Sequence, residues 1–194
     1  MTRDLLARDG YQGLTIGAVA REAGTTRPSV YLRFADKHDL ATRAIAGMSV
    51  ADPLRTTPDV RADLVAELKH FRTAVTRPNG MSFVGTVLAE EHQTPELIRH
   101  FRERLVHPRR RRVEGVLVRG MRSGVLRPGI DVEVVTTMLI GSIYSGYIAA
   151  GEVPADWPER AVEAMWPALV DRPELDNGPD LVDGAGLRGG RELD

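Results

Sequence analysis

Cysteine is absent from the 194 residues. Disulfides and thiol catalysis are thereby excluded, and a reducing cytoplasm is the expected compartment. Lysine is almost missing too, with two residues against 24 arginines, a bias we read as genome base composition. No long hydrophobic run is present. The longest, around residues 138–148, is broken by Gly141, Ser142, Ser145 and Gly146. It falls short of the roughly 20 apolar residues that cross a bilayer, so no membrane partner is expected. Met1 is followed by charged residues, not by a secretory apolar segment. The chain also lacks a glycine-rich phosphate loop, a GxSxG elbow and an HExxH pair, so neither an enzyme nor a bound cofactor is expected. Glu90, Glu91 and His92 adjoin, but three consecutive helical side chains diverge and cannot converge on one substrate. His92, His100 and His107 lie eight and seven apart, not at the i, i+4 spacing of helical metal ligands, and Pro95 and Pro108 separate them. No metal site is expected.

Charge is unevenly spread. Residues 1–47 carry seven Arg/Lys and five Asp/Glu; residues 48–170 carry 16 and 15; residues 171–194 carry three and seven. An acidic end therefore hides a mildly basic body, too weakly basic by itself to establish nucleic-acid binding. Arg109 to Arg112 form a basic run, but four consecutive residues point around a helix. A solvated face with stem packing is expected there.

Strand alternation is absent and helical periodicity recurs, so the expected fold is all-α. Arg3 to Arg8 form a first helix stopped by Gly10. Thr15 caps a second, with Ile16, Val19, Ala20 and Ala23 on one face and Gly24 closing it. Thr26 caps a third, with Pro28 in its first turn and Val30 and Phe34 as anchors. Thr26, Arg27, Ser29 and Arg33 are then free to face outward. Asp36 caps a helix running to about Met48. Two short helices on a tight turn are the supersecondary unit by which many proteins place side chains in the DNA major groove.

These residues resemble the TetR/AcrR family of bacterial transcriptional regulators. The resemblance rests on Thr15, Ile16, Val19, Ala20, Ala23, Gly24, Ser29, Val30, Tyr31, Phe34, Asp36, Lys37 and Leu40. It implies an N-terminal three-helix helix-turn-helix domain and a C-terminal helical domain that binds a ligand and dimerises. By the resemblance Tyr31 and Lys37 match phosphate-contacting positions, while Thr26, Arg27, Ser29 and Arg33 lie on the recognition helix. With Thr15 they make up the expected DNA-binding set. Thr25, Pro28 and Leu32 depart from the family's usual residues. The implied partners are double-stranded DNA bearing a near-palindromic operator, a small-molecule effector and a second copy of the chain. The implied role is a repressor released by its effector. The alternative is a helical small-molecule-binding or protein-docking protein without sequence-specific DNA binding.

Beyond a Pro- and Thr-rich break near residues 52–58, helices are expected over Val60 to Thr76, Met81 to Glu91, Thr94 to Leu105, Pro108 to Met121, Asp131 to Ala150, and from Asp156. Pro167 should kink or end the last near Trp166. The expected division is 1–47 for DNA, 58–170 for effector binding and dimerisation, and 171–194 as a disordered tail. Phe83, Val87, Phe101, Leu105, Met121, Met138, Tyr144 and Tyr147 are the candidate ligand pocket. The Asp131–Ala150 helix is apolar around its circumference and should face both its own domain and a partner. Leu139 and Ile143 are placed at that interface. The first helix reads as too short, and the natural start is expected upstream of Met1.

Overall fold

The computed structural model describes residues 2–48 and 55–170. All regular structure among them is helical: α1 (Thr2–Gly13), α2 (Ile16–Glu22), α3 (Arg27–Tyr31), α4 (Lys37–Ala46), α5 (Val60–Thr76), α6 (Gly80–Ala89), α7 (Pro95–Phe101), a π-helical segment (Arg102–Val106), α8 (His107–Arg122), α9 (Val132–Ala150) and α10 (Trp157–Leu169). The expected break near residue 52 and the expected acidic tail lie wholly or partly outside the described residues.

Local chemistry sets most helix starts. Thr15, Thr26, Asp36, Asp59 and Asp131 each accept a backbone N–H with the side-chain oxygen. Each satisfies one of the donors left over at a helix start, a contribution of about 1 kcal/mol. The end of α2 is equally local. Gly24 N–H donates to Arg21 O at 3.2 Å and Thr25 N–H to Ala20 O at 2.9 Å. That double closure needs a left-handed residue between them, and Gly24 sits at φ +60°. Gly10, at φ 69° and ψ 176°, is non-helical and stops the first helical stretch as expected; a further short turn to Gly13 follows it within α1.

Two expectations about proline are corrected. Pro108 does not start an independent helix: α7, the π segment and α8 run on without a break. The wide turn absorbs the proline. His107 N–H reaches back to Arg102 O, one residue further than in an α-helix, so the Pro108 ring avoids the carbonyl it would otherwise strike. Pro167 does not end α10 either; the helix continues to Leu169. The proline is exposed near a helix end, and Val170 N–H still reaches Trp166 O at 3.2 Å.

Apolar packing divides the chain differently from its linear order. One core holds Leu5, Leu6, Leu14, Val19, Val30, Leu40 and Ile45 together with Phe83, Val87, Leu97, Ile98, Phe101 and Leu105. The first four helices thus close their core with α6, α7 and the π segment. The second core is built from α5, α8, α9 and α10 around Leu64, Leu68, Phe71, Leu117, Leu139, Ile143 and Val162.

Ion pairs lock α5 to α8. Arg112 Nε lies 2.8 Å from Glu67, and Arg119 pairs with the buried Asp63, which also accepts from Thr57. The basic run at residues 109–112 is therefore not the expected solvated face. Its side chains radiate, but Arg112 meets Glu67, Arg110 reaches Thr137 at 3.1 Å, and Arg109 covers the Phe71 ring at 4.7 Å. Arg111 alone of the four is exposed.

By length and composition α9 is apolar enough to cross a membrane, with a mean hydropathy of 1.3 over its window. Its Leu139, Ile140 and Ile143 are built into the second core. The dimer expectation at Leu139 and Ile143 is overturned, because both are fully buried within one protomer. The side chains of α9 that remain exposed are others, among them Val134, Met138 and Ile148.

Candidate nucleic-acid interface and cavity

α3 is held by one buried side chain, Val30, and by the half-buried Phe34 that follows it. Everything else on it faces outward. Thr26, Arg27, Ser29 and Arg33 are exposed; Tyr31 is 56 % exposed and Leu32 88 %. Thr26 Oγ1 accepts the Ser29 N–H and lies 2.9 Å from the Ser29 hydroxyl, so this pair fixes the first turn. Thr15 does the same for α2, accepting from Ala18 N–H at 3.0 Å. Arg27 folds back over α2: a Cβ built on Gly17 would meet its Nη2 at 2.9 Å. Among the described residues no carboxylate pairs with Arg21, Arg27 or Arg33, whereas Arg43 is taken by Asp39 at 2.6 Å. The outward face of α2 and α3 thus carries cations with no internal neutralisation.

Lys37 has a second role that the sequence did not reveal. Its Nζ donates to Tyr11 O at 3.2 Å and sits 4.3 Å from the Tyr11 ring centroid. The Tyr11 hydroxyl in turn hydrogen-bonds Thr94, at the start of α7, and burial pushes its pKa upward. A chain of contacts therefore runs from the first residue of α4 to α7.

Between the two cores lies a cavity of about 310 Å³. Phe83, Phe101 and Leu105 form its apolar wall, with the two phenylalanines edge to face at 6.0 Å. Arg3, His70, Arg77, Arg109 and Tyr144 supply the polar side, and Met48 closes it behind α4. Tyr144 stands edge-on to Phe71 at 5.3 Å. Burial raises the Tyr144 pKa and lowers those of His70 and Arg109; the neighbouring Arg112 lowers His70 further. His70 Nδ1 is 3.0 Å from Arg112 Nη2. A guanidinium has no acceptor, so Nδ1 must present its lone pair and the ring proton must sit on Nε2.

The chain matches two family models, "Bacterial regulatory proteins, tetR family" over residues 1–44 and "Tetracyclin repressor-like, C-terminal domain" over residues 54–165. The chain belongs to the TetR family. It is a helix-turn-helix transcriptional regulator. An HTH-type regulator of Mycobacterium tuberculosis is 30% identical over 135 residues, 68% of each chain. The fold is shared with a regulator from Saccharomonospora viridis in complex with choline, at a TM-score of 0.66 and 20% identity over 88% of this chain and 95% of that one. It is shared also with FadR from Bacillus subtilis in complex with stearoyl-CoA, at 0.62 and 18% over 84% and 93%.

In this TetR-family chain, seven residues were expected at the DNA surface. Thr26, Arg27, Ser29, Tyr31 and Arg33 lie together on or beside α3, Thr15 lies at the start of α2, and Lys37 is turned partly inward. Of the eight pocket candidates, Phe83, Phe101, Leu105 and Tyr144 meet at the cavity. Val87 is sealed in the first core, Met121 packs on the second, Met138 is 57 % exposed on the far side of α9, and Tyr147 lines a separate cleft with Arg72. Helical phase separates these four from the rest. The residues missed were Arg3, His70, Arg77 and Arg109. No local pattern marks them, because they come from α1, α5, the end of α5 and α8.

Proposed function

We propose that this TetR-family protein is a cytoplasmic, ligand-responsive repressor that binds a near-palindromic operator as a dimer and leaves it when a small molecule enters the cavity. The observation that carries this reading is that the cavity touches both halves of the chain. Arg3 comes from the DNA-binding half and Met48, just past it, packs in the same core, whereas Arg109 and Tyr144 come from the other half. A ligand with different affinity for two placements of the reading helices shifts the population between them, and DNA must then weaken the ligand reciprocally. Two helix-turn-helix units read successive major grooves roughly 34–36 Å apart, so a small rotation suffices for release. The ligand complexes of the choline-bound and stearoyl-CoA-bound fold relatives support ligand response in general and leave its chemistry open.

A gel shift with the DNA flanking the protein's own gene tests the reading. Wild-type protein should retard that DNA. Arg27→Ala or Arg33→Ala should relax preference at particular base pairs by about 1–3 kcal/mol. Tyr31→Phe should weaken all sequences alike. Equal, sequence-independent losses for all three variants would refute this division of roles. No retardation of any fragment would leave a helical docking module in its place.

A further inference from the structure

Among the described residues Arg109 has no ion-pair partner of its own, and Glu67 and Tyr144 act on it only at a distance. Arg109 is half-buried on α8, and among the described residues no carboxylate and no hydrogen-bond acceptor meets it. The nearby Glu67 is already committed to Arg112 at 2.8 Å. Only the face of Phe71 lies over the guanidinium, at 4.7 Å, and a ring quadrupole offsets little of the cost of desolvating a cation. Arg3 and Arg77 line the same cavity, and none of the described residues lining it is acidic. Three arginines thus line one cavity, and Asp4, outside that lining, acts on Arg3 and Arg77 but not on Arg109.

The hydrogen-bonding inventory points the same way. Arginines only donate, and His70 has spent its lone pair on Arg112 and keeps an N–H. The Tyr144 hydroxyl can donate or accept, so donors outnumber acceptors and the head group that fits best is rich in acceptors. The opposite wall is Phe83, Phe101 and Leu105, which asks for an apolar body. The volume, about 310 Å³, sits at the small end of the roughly 300–1,000 Å³ usual for ligand sites.

We infer that the effector is a compact amphipathic carboxylic acid, whose carboxylate pairs with Arg109 and whose apolar body lies against Phe83 and Phe101. This rests on the reading of the cavity as the effector site. A guanidinium binds a carboxylate through two parallel hydrogen bonds, a geometry an ammonium or an alcohol cannot supply. Burial already depresses the Arg109 pKa, and none of the described residues lining the cavity is a carboxylate that pairs with it, so an entering anion gains a partner there.

Thermal unfolding of the full chain tests the inference with octanoate, 1-octanol and acetate at equal concentration. Octanoate should raise Tm; octanol, which has the body without the charge, and acetate, which has the charge without the body, should not. Arg109→Met should weaken octanoate about tenfold or more, the scale of a lost charge-assisted pair, whereas Arg111→Met, at an exposed neighbour, should leave it unchanged. Arg109→Lys, which keeps the charge but not the fork, should fall between and serves if Arg109→Met fails to fold. An equal Tm rise with octanol, no rise with octanoate, or an undiminished rise in Arg109→Met would each overturn the inference. A gel shift separates the two readings. Octanoate that binds but leaves DNA retained sinks the effector role and keeps the acid site. Octanol that releases DNA while octanoate does not bind sinks the acid site and keeps the effector role.

Discussion

Single side chains in this protein hold two positions at once, and Lys37 is the clearest case. Family resemblance gives it to DNA phosphate, while its Nζ is bonded to Tyr11 O at 3.2 Å and packed over the Tyr11 ring. Lys37→Ala should therefore cost stability as well as affinity. A charged donor and a half-buried cation–π contact together contribute about 1–2 kcal/mol. Urea unfolding should show that loss with an unchanged m-value, and Tyr31→Phe, at an exposed ring, should show none. A wild-type midpoint for Lys37→Ala would mean that the ammonium leaves Tyr11 in solution. The sequence carried half of this. It marked Lys37 by motif and missed Tyr11, because a contact across 26 positions leaves no local trace.

Helices show where sequence reading reaches its limit. Capping is decided within four residues, so Thr15, Thr26, Asp36 and Asp131 were legible and are observed. Periodicity gave α5 its bounds, Val60–Thr76, for the same reason. Proline misled twice, at 108 and 167, because a wide turn and an exposed helix end accommodate it without breaking the chain's course. On α9 the hydrophobic content was legible and the facing was not. A helix apolar all round does not say which side is inside, and Leu139 and Ile143 took the inner one. Val134, Met138 and Ile148 remain exposed on α9, spaced four and ten apart along one outer stripe. If a partner covers that stripe, Met138→Glu should give a folded monomer by light scattering, since it buries an unpaired charge only in the dimer. Leu139→Glu, one residue away, should instead abolish folding. A dimeric Met138→Glu would move the interface elsewhere.

At the scale of the whole molecule, the reading head is not a self-sufficient bundle. Its core is finished by Phe83, Val87, Leu97, Ile98, Phe101 and Leu105, from helices more than 30 residues downstream of α4. Small bundles bury too little surface to be stable unaided. A fragment of residues 1–48 should then melt without a cooperative transition in circular dichroism, while the full chain melts sharply; a cooperative fragment would contradict the shared core. Composition and motif could not show this sharing, because it joins segments that each read as complete. The same sharing bears on how such a protein can change over generations. Phe83, Phe101 and Leu105 are at once bricks of the DNA-reading core and wall of the cavity. Any substitution that reshapes that wall also loosens or tightens the head that reads DNA. Residues of the opposite wall, such as Arg3, His70, Arg77 and Arg109, stand outside that core, so changes there leave its packing alone.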